Sequence, residues 1–372
     1  MKLTAIRDIF FSLVQGGLWE KRTAVSSMGP IDWEALYQIS SDQSVVGLVA
    51  AGIEQISDMK VTKPMVLPFL KKVFAIETRN GEMDLFVAEL FSGLYENGIQ
   101  ALLVKGQGVS KCYARPLWRS AGDVDLVLDD VNYQKAKVFL KKHASSVEIE
   151  RAYTRHLGMS IGQYEVELHG TLRIGLSHRA DKVLDELQKE CCSNGSVRLW
   201  SNNGVKVKLP SPTQDVLFVF THFLKHFYVG GIGLRQICDW CRLLWTYREE
   251  IDRGLLESRL RQMGLMTEWK AFGAFVVDWL GMPVEAMPFY DPSPRWSRKA
   301  KRICSFILKV GNFGKNRDMS YYQKSPFFIR KAISLGQRLG DLARHAMIFP
   351  MDSFRFLPNI LAHGFRSAAH GE

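Results

Sequence analysis

The 372-residue chain has no run of eighteen uncharged apolar residues, so a simple transmembrane helix is not expected. It has no internal repeat and no low-complexity tract, which sets aside solenoids and disordered arrays. Cysteine is scarce and unpatterned: Cys112, Cys191, Cys192, Cys238, Cys241 and Cys304 share no repeated paired spacing. That argues against a disulfide framework and against a four-cysteine metal site. Cys238-Asp239-Trp240-Cys241 has a C-x-x-C spacing, but it falls inside a helical pattern and lacks a second ligand pair. Reduced, mostly buried thiols are the expectation. Phe10-Phe11-Ser12-Leu13-Val14 is too short, and too closely flanked by Arg7, Asp8 and Glu20, for a secretory signal, which makes the cytoplasm the expected location. An RRM or KH signature is missing as well. What remains is a chain with 47% hydrophobic residues, able to bury a sizeable core and long enough for two or three domains.

Charge is uneven. Residues 291–372 hold 15 Lys or Arg against 5 Asp or Glu, a net of +10 in a chain whose total is +11, so the first 290 residues are nearly neutral. A basic C-terminal region implies an acidic partner: nucleotide phosphates, nucleic acid or an anionic membrane surface. Phe328, Ala332, Leu335, Leu339, Leu342 and Ala346 recur at helical spacing there, with Arg330, Lys331, Arg338 and Arg344 between them. The pattern suits a helix packed on the core with a solvated basic back, and it leaves peripheral membrane contact open.

The chemistry concentrates in Arg119-Ser120-Ala121-Gly122-Asp123-Val124-Asp125-Leu126-Val127-Leu128. A strand points residues i and i+2 to one face. Asp123 and Asp125 therefore project together from one end of a buried strand, an arrangement that calls for a cation between them. Two such carboxylates make a hard oxygen site for Mg²⁺. Upstream, Ile99-Gln100-Ala101-Leu102-Leu103-Val104 reads as a second buried strand. It ends in Lys105-Gly106-Gln107-Gly108 before a helical pattern over Val109 to Tyr113, a place where backbone N–H groups can face a phosphate. Downstream, Gly162-Gln163-Tyr164-Glu165-Val166-Glu167-Leu168-His169 alternates apolar and polar residues. Tyr164, Val166 and Leu168 share one strand face and Glu165, Glu167 and His169 the other, and either glutamate is a candidate third ligand or general base.

The ordered set Lys105-Gly106, Tyr113, Arg119, Gly122-Asp123-Val124-Asp125 and Glu167-Leu168-His169 resembles the polymerase-β-like nucleotidyltransferases, and within them a bacterial group of uncharacterised nucleotidyltransferase family proteins. The motifs cover about a fifth of the chain. Lys-Gly-Gln-Gly stands where the wider superfamily usually has Gly-Gly or Gly-Ser. The resemblance implies a two-metal phosphoryl-transfer site in which Asp123 and Asp125 hold Mg²⁺ against a nucleoside triphosphate, and it selects Glu167 as the third carboxylate. Glu167 completes the second metal site and helps ionise the acceptor hydroxyl. Lys105 and Arg119 are the natural cations for the triphosphate, beside Gly106 and Gly108.

Residues 1–97 are helical in pattern, with Asp32 a cap before Trp33 and a long segment from Phe69 to Tyr95 closed by Glu96-Asn97-Gly98. Strands and helices alternate over 98–210, and Pro210-Ser211-Pro212-Thr213 punctuates. Helical segments follow near 216–228, 234–247, 254–264 and 269–280, and 291–372 is a basic, mainly helical region. His222 and His226 lie i, i+4 on one helix. With Leu234-Arg235-Gln236-Ile237-Cys238-Asp239 they resemble the His-rich and Leu-Arg-x-x-x-Asp helices of the same group. The implication is that 211–290 walls the cleft, with His226, Arg235 and Asp239 reaching nucleotide or acceptor. Mutual pairing of Arg235 and Asp239 in a buried helix pair is the structural alternative. The expected fold is α+β, a small mixed-sheet nucleotidyltransferase core flanked by N- and C-terminal helical regions. The expected activity is Mg²⁺-dependent transfer of a nucleoside monophosphate to a hydroxyl, on a small molecule by preference or on a protein. An RNA end, or a non-catalytic nucleotide sensor of the same fold, are the alternatives.

Overall fold

The computed structural model describes residues 2–151, 153–193, 197–314, 336 and 340–358. Four helices come first: α1 (Lys2–Trp19), α2 (Trp33–Asp42), α3 (Val46–Glu54) and α4 (Lys63–Glu96). Asp32 does cap α2, its side chain accepting the Ala35 N–H at 3.0 Å. α1 and α3 cross almost backbone to backbone. A Cβ on Gly17 would lie 2.0 Å from the Leu48 oxygen, and one on Gly52 1.9 Å from the Leu13 oxygen, so larger residues would force the helices apart. At 34 residues α4 is about 50 Å long. Its Phe69 and Val73 belong to one apolar core, and its Met83, Val87 and Phe91 to another.

The second of these cores lies under a five-stranded sheet built from β1 (Leu102–Val104), β2 (Val124–Val127), β3 (Ser146–Val147), β4 (His156–Ile161) and β5 (Tyr164–His169), in the order β1-β2-β5-β4-β3. β2 and β5 are parallel and every other neighbouring pair is antiparallel, the mixed sheet that the resemblance implies. A one-turn helix α5 (Gly106–Ser110) follows β1, and α6 (Asp130–Lys141), capped by Asp129, follows β2. α7 (His178–Ser193) leads to a separate hairpin, β6 (Val197–Asn202) and β7 (Val205–Pro210). One sheet face, with Leu103, Leu126, Val166, Leu168 and Met159, buries against α4 and against Tyr133, Ala136 and Leu140 of α6.

β1 is shorter than its apolar run suggests. Ile99 and Ala101 are buried, but the Gln100 N–H is bonded by the Asn132 side chain at 2.8 Å rather than by a neighbouring strand. The helical turn after it starts earlier than expected, at Gly106.

Helices α8 (Pro212–Val229), α9 (Leu234–Thr246), α10 (Arg253–Met263), α11 (Met266–Leu280) and α12 (Pro294–Val310) form the other core with α1–α3. Pro212 and Pro294 each open their helix, where a missing N–H costs nothing. The centre is aromatic: Phe220, Phe223, Trp240, Trp269 and Phe272 meet mostly edge to face, Trp240 and Trp269 at 4.8 Å. All six cysteines are free thiols and five are buried.

Residues 340–348 and 350–358 are helical. Most of the predicted basic stripe, Phe328, Arg330, Lys331, Ala332, Leu335, Arg338 and Leu339, lies outside the described residues. Within them the inward face is offset from the predicted one. Leu342 and Ala346 are half-buried, whereas Asp341, His345, Ile348, Phe349, Asp352 and Phe356 are buried, because the rings of Phe227 and Phe306 receive His345 and Phe272 stacks on Phe349. Some of the region's positive charge is internal. Lys299 and Arg302 of α12 bond the Ile348 and Met347 carbonyls at the end of the first helical stretch. None of the described helices is long and apolar enough to cross a membrane.

Candidate functional site

The sheet face turned toward the helical core is split. Leu102, Val104 and Val127 join that core, while Asp125, Glu167 and His169 leave a polar patch beside it. Asp125 and Glu167 are register partners across the parallel β2–β5 pair, so their side chains share a face. Asp123, two residues before Asp125, extends that face to the strand entrance. The alternation expected for β5 is present, with Tyr164, Val166 and Leu168 buried and Glu165 exposed. Glu165 is engaged by the Ser160 hydroxyl of β4, which it accepts at 2.7 Å, and the carboxylate paired in register with Asp125 is Glu167.

Lys105 stands at the end of β1 with φ of +57°, a strained conformation for a residue with a Cβ. Its Nζ lies 2.5 Å from Asp125 Oδ1 and 3.4 Å from His222 Nε2. Gly106, with φ of +36°, passes so close to the next motif that a Cβ there would lie 3.3 Å from the Asp123 carbonyl oxygen. Gly108 packs on β7, where a Cβ would come within 2.8 Å of the Leu209 side chain.

Around Asp125 the bonds are charge-assisted. His169 Nε2 is 2.8 Å from Asp125 Oδ1 and 3.4 Å from Glu167 Oε2, and His156 Nε2 is 3.0 Å from Glu167 Oε2. Burial works to raise the Glu167 carboxyl, but the hydrogen bonds from His156 and His169 hold it well below the usual range. Asp123 is open to solvent on one side. The walls that close round the rest of it, with the charges of Glu167 and Asp125, nevertheless push its carboxyl up to about 6. Asp123 is thus the carboxylate left short of positive charge, and the hard oxygens of the three fit a divalent ion such as Mg²⁺.

The loop that delivers Asp123 is held from three sides. Asn80 of α4, fully buried, donates to the Leu117 and Arg119 carbonyls at 2.7 and 2.8 Å. Arg235 of α9 donates to the Ser120 carbonyl at 2.7 Å. Arg119 itself turns inward and makes a two-point pair with Asp239, at 2.8 and 2.7 Å, while the Tyr113 hydroxyl donates to the same carboxylate at 2.8 Å. Sequence reading placed Arg119 against the triphosphate, and Asp239 against nucleotide or acceptor. The structure instead buries both and joins them to each other, because Tyr113 and the two Arg119 nitrogens already occupy the Asp239 oxygens. Arg235 and Asp239 accordingly do not pair as i, i+4 neighbours.

α8 forms the opposite wall. His222 and His226 face each other with Nε2 atoms 3.0 Å apart. Burial, with nearby Lys105 and Lys225, lowers both rings, His226 to about 3. His226 is therefore one ring removed from Lys105 rather than beside the carboxylates. His156 escaped sequence reading, and the signal for it was a two-residue Gly162-Gln163 connection between β4 and β5. Once that hairpin is recognised, its register pairs His156 with His169.

With the fold and this cleft in view, the class is that of a transferase whose mixed sheet gathers carboxylates on one face. Residues 29–281 match the family model described as uncharacterised nucleotidyltransferase, and the chain belongs to that family of transferases. Comparison with curated proteins and with solved structures gives no match for the chain.

Proposed function

We propose that the cleft catalyses Mg²⁺-dependent transfer of a nucleoside monophosphate from a nucleoside triphosphate to a hydroxyl, releasing pyrophosphate. A small-molecule acceptor is favoured over a protein. The observation that carries this reading is the convergence of Asp123, Asp125 and Glu167 on one sheet face, with Lys105 among them. Bound Mg²⁺ supplies charge neutralisation of the triphosphate and a lowered pKa at the acceptor oxygen. Asp123 and Asp125 would hold the ion from one strand, and Glu167, kept ionised by His156 and His169, would complete the second position and help ionise the acceptor hydroxyl. Lys105, released from Asp125, turns to the phosphates, and Arg235 borders the same opening. Arg119 and Asp239, with Gly106 and Gly108, act by position. They fix the two loops on which Asp123 and Lys105 stand.

The basic residues of 291–372 that bond helix ends support core packing over a nucleic-acid surface. The test is incubation with α-labelled ATP, Mg²⁺ and a cell metabolite extract, with label transfer and pyrophosphate release as readouts. Label moving to a small molecule, and not in the Asp123→Asn variant, is the expected result. Label on RNA, or none transferred while nucleotide binds, would replace this reading by one of the alternatives.

A further inference from the structure

We propose that His156, Glu167 and His169 form a binding site for a borderline divalent transition ion, of the Mn²⁺ or Zn²⁺ class, so that the second metal position is not a Mg²⁺ site. The inference rests on the proposed reading, in which Glu167 completes that position, and it specifies which ion the position takes.

One ligand atom from each residue lies within 4.8 Å of the others. The two closest pairs matter more. Glu167 Oε2 is 3.0 Å from His156 Nε2 and 3.4 Å from His169 Nε2. Donors held about 2.1 Å from a central ion are separated by about 3.0 Å along an octahedral edge and about 3.4 Å along a tetrahedral one. The Glu167 oxygen therefore already stands at donor spacing from each ring nitrogen, before any ion draws the three together. The backbone supplies this spacing. His156 and His169 are register partners on adjacent strands, and Glu167 is two residues before His169 on the same face. His156 Nδ1 is buried with no hydrogen-bond partner, so the ring's bonding nitrogen is the one aimed at Glu167.

The donor chemistry decides the ion. Mg²⁺ prefers oxygen and keeps much of its water, whereas imidazole favours Mn²⁺, Zn²⁺ and their neighbours in increasing order. Lys105 occupies Asp125 and not Glu167 at hydrogen-bond distance, so this trio is not blocked by the internal cation. Asp125 Oδ1, 2.8 Å from His169 Nε2, is the adjacent fourth donor when Lys105 leaves it.

Co²⁺ serves as the probe, because its visible ligand-field absorption reports nitrogen donors directly and needs no turnover. Full-length protein freed of metal with chelator is titrated with Co²⁺, then challenged with Mg²⁺. The expected result is one Co²⁺ per chain, with a visible band that persists in roughly 100-fold excess Mg²⁺. In His156→Gln the Co²⁺ affinity drops at least about 10-fold, while Glu165→Gln, outside the trio, matches wild type. A Co²⁺ signal displaced by equimolar Mg²⁺, or one unchanged in His156→Gln, overturns the inference. Should that variant fail to fold by circular dichroism, the wild-type competition decides alone. A parallel calorimetric titration with Mg²⁺–ATP tests the nucleotidyl-transfer reading separately. Its failure alongside an intact Co²⁺ band would sink that reading and leave the metal trio standing.

Discussion

His169 and His222 approach the same cleft from opposite walls, and their rings are shifted in opposite directions. Burial lowers both rings. At His169 the hydrogen bonds to Asp125 and Glu167 outweigh it and raise the ring, so it holds its proton more tightly than a free imidazole. At His222 burial is reinforced by Lys105, His226 and Lys225, and the ring stays neutral well below its usual range. One residue type thus serves as a proton-retaining clamp on the sheet and as an uncharged lining on α8, and what separates them is which charges each faces. The sheet wall concentrates negative charge and fastens it, and the helix wall adds no imidazolium to the positive charge of Lys225 and of Lys105 across the cleft.

The severest way to break this contrast is to take charge from the sheet wall. Asp123→Asn should lower turnover by about 10³-fold or more, read as pyrophosphate release, with the melting temperature unchanged or raised because a repelled carboxylate is gone. Glu167→Gln should lower turnover by at least about 10²-fold with little change in nucleotide affinity, and Glu165→Gln by far less. A reversed order would move the role to Glu165.

Protonation sharpens the comparison at smaller magnitude. His226 is depressed to about 3, so the unfolded chain binds a proton below about pH 6.5 that the folded chain refuses. Stability from this group is complete above about pH 6.5 and is lost as pH falls toward 3. His226→Gln should therefore flatten the acid limb of denaturant-measured stability by roughly 1–3 kcal/mol between pH 6.5 and 4. His169 has the opposite sign. Its raised pKa stabilises the fold below about pH 6.5, and this is lost as pH rises through the folded value. His169→Gln should accordingly cost most at acid pH, measured in chelator. Equal slopes for the two variants would contradict the assignment. The smallest effect is expected at Asn80→Ala, which frees the Leu117 and Arg119 carbonyls. It should cost roughly 1–3 kcal/mol of stability and lower turnover only modestly.

Much of this was legible in the sequence where one local rule decided the outcome. Asp32 is a cap because its side chain alone suffices, and the β5 alternation follows from period two on a half-buried sheet. The carboxylate set was legible for the same reason, since Asp123 and Asp125 share a face in any strand. What was not legible depended on partners far along the chain. Arg119 and Asp239, 120 residues apart, bond to each other and leave Arg235 to a backbone carbonyl. The inward face of 340–358 is set by aromatic rings on α8, α11 and α12 rather than by its own apolar spacing, which is why it takes in Asp341 and His345. His156 lay in between, readable only after the Gly162-Gln163 turn had fixed a register.

On the proposed reading, the contact between Lys105 and Asp125 makes ion uptake at the aspartates an exchange reaction. A bare divalent ion arriving there would have to displace the ammonium group from Asp125, which offsets part of its gain. A divalent ion arriving with a triphosphate brings the ammonium its new partner, and both transfers become favourable together. On the proposed reading the aspartate pair would act as an AND gate, answering less to free Mg²⁺ than to the metal–nucleotide complex.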